Sequence, residues 1–298
     1  MIRVGSSSYF TLIKNNINRS QLQLYETRQR IASGKKVESI SDQPDKLQSL
    51  LNRKEILSKN NQYQDNINTG LRYLTVTQSG LDNANTMMEE VKRMLIQGSN
   101  TIGDIEWGSY IERIDQYLEE MVNIGNTKFN DKYIFAGTSI QTIPYTLAGD
   151  GNSVSVNATG INEHWRVEIG KYQMETINVS GTDAFQANVD VFDLLIQVRN
   201  AFDAQDGQTL QGLIDPVDNA QSQILAQGAK VGGIINRFEM LDQQYDVENL
   251  NLQSFISEIE DADLLEESMN LQKEELALQA AMSVVSRGIN LSLVNYLR

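Results

Sequence analysis

The chain has 298 residues, no cysteine, a single histidine and a formal net charge of −14. Without thiols it can form neither a disulfide-stapled fold nor a thiolate metal site, and its acidic balance argues against nucleic acid as a partner, because a phosphate backbone needs a basic surface. No run of 18 apolar residues exists, so no membrane insertion is expected.

Apolar residues make up 40% of the chain but aromatics only 7%, a balance that suits narrow helical stripes more than a thick globular core. The only prolines are Pro44, Pro144 and Pro216. Residues 45–143 and 217–298 are therefore free to run as long helices. The first residues, Met1 to Ser8, lack an apolar h-region, so no cleaved signal peptide is expected, and composition alone reads as cytoplasmic.

The first predicted element is a helix over 10–31. Phe10, Ile13, Ile17, Ser20, Leu24, Thr27 and Ile31 alternate spacings of three and four, the seam of a helix that pairs with another. Ser33-Gly34 ends it, glycine supplying a left-handed stop. A second helix starts at Pro44, with Ser41 and Asp42 as cap candidates. Its stripe reads Ile67, Leu71, Leu74, Gln78, Leu81, Ala84, Met88, Val91 and Leu95, and stops at Gln97-Gly98-Ser99-Asn100. A third helix follows Trp107, with Ile111, Ile114, Leu118, Met121 and Gly125 on one face.

The period changes near 130. Asn130-Asp131 reads as a turn and Tyr133-Ile134-Phe135 as a short strand. Residues 142–182 hold short alternating runs punctuated by glycines, hence a small β-rich insert. Helix returns with Phe192, Leu195, Ile196, Val198 and Arg199, as far as Gly207.

The longest stripe is Val217, Ala220, Ile224, Gln227, Val231, Ile234, Phe238, Leu241, Tyr245, Glu248, Leu252, Phe255 and Ile259, again spaced three and four. At 1.5 Å per residue it predicts a helix of roughly 65 Å, a length that suits a bundle or coiled coil. Asp261 to Asp263 changes the stripe. The last one runs Leu264, Ser268, Leu271, Glu275, Leu278, Met282, Val285 and Ile289. A helix with one apolar stripe and no local partner is marginal in water, so each terminal helix needs the other, or another subunit. Charge points the same way: residues 1–36 carry seven basic residues against Glu26, whereas 258–298 carry eight acids against three basic residues.

No catalytic constellation emerges. His164 stands alone beside Trp165, and no Ser–His–Asp set, His-Glu-x-x-His pair or phosphate-binding glycine loop is present. Gly149-Asp150-Gly151-Asn152 is too short for a calcium loop and reads as a hairpin turn. Glu258, Glu260, Asp261 and Asp263 could gather a cation, but a capping or solvated acidic segment is the better reading. The expectation is a non-enzymatic protein with no cofactor and no metal.

Two motifs carry a resemblance. Ile31-Ala32-Ser33-Gly34-Lys35-Lys36-Val37 with Ser41-Asp42-Gln43-Pro44, and Asn236-Arg237-Phe238 with Ile259-Glu260-Asp261-Ala262-Asp263, resemble the N- and C-terminal segments of flagellins and flagellar hook-associated proteins. The likeness covers roughly 1–140 and 207–298. Ser41–Pro44, Tyr133-Ile134-Phe135-Ala136-Gly137 and the ending Leu291–Leu297 resemble the hook-associated branch more than flagellin, although Gln43 stands where that branch has aspartate.

The resemblance implies a mainly α fold with a small β-rich insert: an elongated flagellin-like helical rod whose terminal helices pair on assembly. It divides the chain into an export and assembly helix (1–40), two rod halves (41–138 and 191–263), an outer insert (139–190) and a C-terminal assembly helix (264–298). It implies a structural subunit of the extracellular flagellum at the junction between hook and filament, exported through the flagellar type III apparatus. The implied partners are other copies in a ring, the preceding hook-associated protein, flagellin and an export chaperone. A short flagellin and a non-flagellar secreted coiled-coil protein remain alternatives. The expected assembly interface is Phe10, Ile13, Ile17, Leu24 and Ile31 on the first helix, with Leu271, Leu278, Met282, Val285 and Ile289 on the last.

Overall fold

The structure is a computed structural model describing residues 3–36, 44–100 and 106–296, with side chains for 11–36, 46–100 and 106–286. In chain order its elements are α1 (Arg3–Ser33), α2 (Pro44–Asn100), α3 (Trp107–Gly125), β1 (Lys128–Phe129), β2 (Lys132–Tyr133), β3 (Tyr145–Leu147), β4 (Val154–Val156), β5 (Arg166–Gly170), β6 (Gln173–Thr176), α4 (Gly181–Phe185), α5 (Val191–Asp203), α6 (Gly207–Gly212), α7 (Ile214–Glu260) and α8 (Leu264–Tyr296). They form two compact units, Met1–Ser58 with Glu248–Arg298, and Lys59–Val247.

In the first unit, α1 ends as its sequence requires. Gly34 adopts φ +72° and its amide donates to the Arg30 carbonyl at 2.9 Å, a left-handed stop open to glycine at little cost. Leu24 and Thr27 are buried and Ile13, Ile17, Ser20 and Ile31 half-buried, so the three-four seam faces inward. The cap candidates Ser41 and Asp42 lie outside the described residues. Asp263 caps α8 instead of holding a cation: its carboxylate accepts from the amides of Leu265 and Glu266 at 2.9 and 3.2 Å, satisfying donors that the first turn leaves free.

The second unit holds the main core. The expected α2 stripe is there, with Ile67, Leu74, Leu81, Met88, Val91 and Leu95 all buried. A second buried face beside it, through Tyr73, Thr77, Met87 and Met94, was not foreseen. It arises because α2 is covered on two sides. Tyr73 packs edge-on against both Phe129 and Trp165 and donates to the Ile134 carbonyl at 2.7 Å. Gly70 and Gly98 on this helix admit the rings of Phe238 and Phe202. A Cβ at either would meet ring carbon at 2.5 and 2.7 Å.

The strands form three antiparallel hairpins: β1–β2, which precedes the expected insert, and β3–β4 and β5–β6 within it. Asn130 and Asp131 form the first turn with φ of 50° and 61°, the pairing expected of a type I′ turn. The strand expected over Tyr133–Phe135 is shorter: only Lys132–Tyr133 pairs, and Ile134 and Phe135 leave the ladder to be buried in the core. Gly149–Asn152 is the β3–β4 turn. Arg199 of α5 holds it through Gly151 O at 2.9 Å and Asn152 Oδ1 at 2.5 Å.

Along α7 the inward positions follow the expected stripe as far as Tyr245. Beyond it Leu252 is buried and Ile259 half-buried as expected, whereas Glu248 and Phe255 face solvent and Asn249 and Ile256, one residue on, turn inward in their place. A strict 3.5-residue repeat drifts by about 20° per heptad on a straight α-helix, so after four heptads one edge of the stripe has turned outward.

Candidate assembly interface

The terminal helices α1 and α8 pack against each other in antiparallel directions. The direction follows from the ion pairs, which descend α8 as they ascend α1, Arg28–Glu275 at 2.8 Å and Arg30–Glu267 at 3.1 Å; just beyond the two helix ends Lys35 pairs with Glu260, the last residue of α7, at 2.5 Å. The opposite charge of the two ends is thus matched across the pair. An exposed pair such as Arg28–Glu275 contributes only about 0–1 kcal/mol, so the apolar seam sets the register and the charges accompany it.

At the end of this pair the two sequence motifs meet. The Lys36 amide donates to Glu260 O at 2.7 Å, the Ala262 amide donates to Gly34 O at 2.8 Å, and Lys35 faces Asp261 in a single antiparallel bridge. The Lys36 ammonium adds a bond to Glu258 O at 2.8 Å. The left-handed Gly34 turns the chain so that the next residues can run beside 258–262. Within this clasp the Glu260 side chain is only 7% exposed and lies between two ammonium groups, Lys35 and Lys54 of α2, each at 2.5 Å.

Burial alone would push the Glu260 carboxyl up. The hydrogen bonds and charges of Lys35 and Lys54 outweigh it and hold the carboxyl below its ordinary value. A folded value below the unfolded one means that the stabilisation is present above the ordinary glutamate range, near pH 4.3, and is lost as pH falls through the lowered folded value. The difference in unit stability between wild type and Glu260→Gln, followed by circular dichroism, is therefore expected to be present at pH 7, to shrink with added salt and to vanish in acid. A difference that persists at pH 2 would contradict this.

Of the expected interface residues, Leu24 is buried between α1 and its neighbours, and Ile13, Ile17, Ile31, Leu271, Leu278 and Val285 are half-buried. Met282 is 55% exposed and Ala281 takes the inward position next to it. The side chains of Phe10 and Ile289 lie outside the described ones. The outer faces of the pair are apolar as well: Leu12, Leu22 and Tyr25 on α1 and Leu265, Met269 and Leu276 on α8 face solvent. Sequence reasoning missed Lys54. Nothing in the local pattern of α2 distinguishes it from other exposed lysines, and only the fold brings it to Glu260.

Residues 10–140 match the bacterial flagellin N-terminal helical region and residues 214–297 the bacterial flagellin C-terminal helical region. The phase 1 flagellin of Salmonella naestved is 26% identical over 203 residues, covering 63% of this chain and 40% of the flagellin. The chain thus spans well under two thirds of the length of the curated flagellins it matches. FlgL of Bacillus cereus superposes with a TM-score of 0.60 at 21% identity, over 69% of this chain and 99% of that one. The flagellar junction protein FlgL of Legionella pneumophila superposes with a TM-score of 0.58 at 12% identity, over 70% of this chain and 99% of that one.

Proposed function

The chain belongs to the bacterial flagellin family, and on that premise we propose that it is the structural subunit joining hook to filament, the surface on which flagellin polymerises. The observation that carries this reading over that of a short flagellin is coverage. The superposition takes in nearly all of each FlgL chain, whereas the flagellins extend far beyond the match. Identity is too low for that likeness to speak to more than fold, so the junction role rests on the closeness in domain content.

In this reading the α1–α8 pair is the self-assembling part of the subunit, and its apolar outer faces are covered by neighbouring copies. Burial of each such side chain contributes roughly 1.5–3 kcal/mol, enough for a ring to hold without any covalent link. The preceding hook-associated protein lies on one side of the ring and flagellin on the other. Export proceeds through the flagellar apparatus, with a chaperone shielding α8 beforehand, since an exposed apolar helix face invites aggregation.

Deleting the gene tests this by electron microscopy. The expected result is cells bearing hooks without filaments, with unpolymerised flagellin shed into the medium. Filaments of normal length and number in the deletion strain would overturn the junction role. A large drop in filament protein with no shed flagellin would favour the filament subunit.

A further inference from the structure

The β5–β6 hairpin closes with Lys171 and Tyr172 between the paired residues Gly170 and Gln173. Tyr172 sits at φ +63°, a left-handed conformation in which bulky side chains are disfavoured and Gly or Asn are at home. Among the described residues the other non-glycine positions with positive φ are Asn130, Asp131 and Gln205, and the first two belong to the residue types that tolerate it. Tyrosine is the poor local choice at this turn.

Its own chain does not account for that choice. The ring of Tyr172 is 90% exposed, and Met174 beside it is 50% exposed. The Lys171 ammonium lies 5.5 Å from the ring centroid, within reach of a cation–π contact that holds the tip as one cationic, aromatic knob. The rest of the hairpin leaves it positive. Arg166 and Lys171 face solvent against Glu168, and Glu175 is neutralised by Arg237 at 2.5 Å. The chain as a whole carries −14.

We propose that the Lys171–Tyr172 tip is a docking knob that grips an acidic helical face of a second copy of this chain. The inference rests on the ring-forming role proposed above and assigns it a contact outside the terminal helices. A closed ring joins two different surfaces of the same subunit, so a cationic knob requires an acidic counterface on the same chain. The outer side of α3, where Glu112, Glu119 and Glu120 are exposed against one basic residue, Arg113, is such a face. Tyrosine suits the role because it brings a large contact area with few rotatable bonds and is enriched where binding energy concentrates. A residue that opposes local backbone preference, yet is not buried, marks selection for something other than stability.

The test places the photo-crosslinker p-benzoylphenylalanine at position 172 of the full chain in motile cells. After irradiation of isolated hook–filament complexes, the expected product is an adduct of two copies of this chain, mapped by mass spectrometry to an acidic helix. Adducts to flagellin or to the preceding hook-associated protein, or no adduct, would overturn the proposal. Immunogold labelling of the same preparations reads the junction role separately. Label missing from the hook end counts against that role, while the adduct is scored by itself. A second arm uses Tyr172→Asn. Asparagine accepts the left-handed turn, so the purified chain is expected to keep its Tm or gain about 1–2 °C. Occupancy of the junction is expected to fall about tenfold. A lowered Tm with unchanged occupancy would make Tyr172 a structural residue and end the proposal.

Discussion

Changing Leu278 and Val285 together to aspartate is expected to abolish motility while leaving export near normal. Both side chains are half-buried on the α8 side that meets α1, and each aspartate would place a charge where the surrounding stripe is apolar. Moving an unpaired charge out of water is costly, and two in one seam amount to a loss on the order of several kcal/mol. Helix pairing that depends on one narrow stripe does not survive that. The main melting transition should stay within about 2 °C, because the core around Tyr73, Phe192 and Phe238 belongs to the other compact unit. Secreted protein, melting and swimming can all be read in one strain. The apolar pair Leu278→Met and Val285→Ile should swim, since both keep the stripe apolar and the one added methylene falls at a half-buried position. A fully motile double aspartate variant would show that this face of α8 does not hold the assembly together.

Phe238→Ala is expected to have the opposite signature, a large loss of stability that precedes any assembly defect. The ring is fully buried, and it fills the notch left by Gly70, where an added Cβ would come within 2.5 Å of ring carbon. Truncating a buried phenylalanine removes about 3–5 kcal/mol, or roughly 6–20 °C of Tm for a unit of this size. Gly70→Ala alone should also destabilise, by overpacking against the ring. Combined with Phe238→Ala it should become neutral or favourable, because alanine is the better helix former by about 1 kcal/mol once the ring is gone. Differential scanning calorimetry of the four proteins closes this cycle. Additive losses would mean that the glycine is not there to admit the ring.

Seams of regular spacing were the most legible part of the fold. On α1 the three-four pattern identifies the inward side residue by residue, since a helix of this length has little room for drift. On α7 the same rule loses Glu248 and Phe255 beyond Tyr245, because a 3.5-residue template applied to a 3.6-residue helix accumulates its error with length. On α8 Met282 faces solvent and Ala281, one residue earlier, is half-buried, a shift opposite to that drift, with Val285 still on the expected stripe. The second buried face of α2 was invisible for a different reason. Tyr73, Thr77 and Gly70 form no apolar stripe, and the groups that cover Tyr73 and Gly70, Phe129 and Trp165 on one and Phe238 of α7 on the other, are brought there by long-range folding.

By itself the sequence determined that the protein is built from long helices, that its two ends carry opposite charge and complementary seams, and that glycine stops the first helix at Gly34. These are local properties, set by side-chain period and backbone preference within a few residues. Only the tertiary structure decided that Gly34–Lys36 runs beside Glu260–Ala262, that Lys54 joins Lys35 on the Glu260 carboxylate, and that Arg28 and Arg30 choose Glu275 and Glu267 from among many acids. Each of those contacts joins residues more than 200 positions apart. No local pattern encodes which charge meets which. The pairing follows from the register in which two helices bury their apolar stripes, and the charges settle into the places that register leaves them.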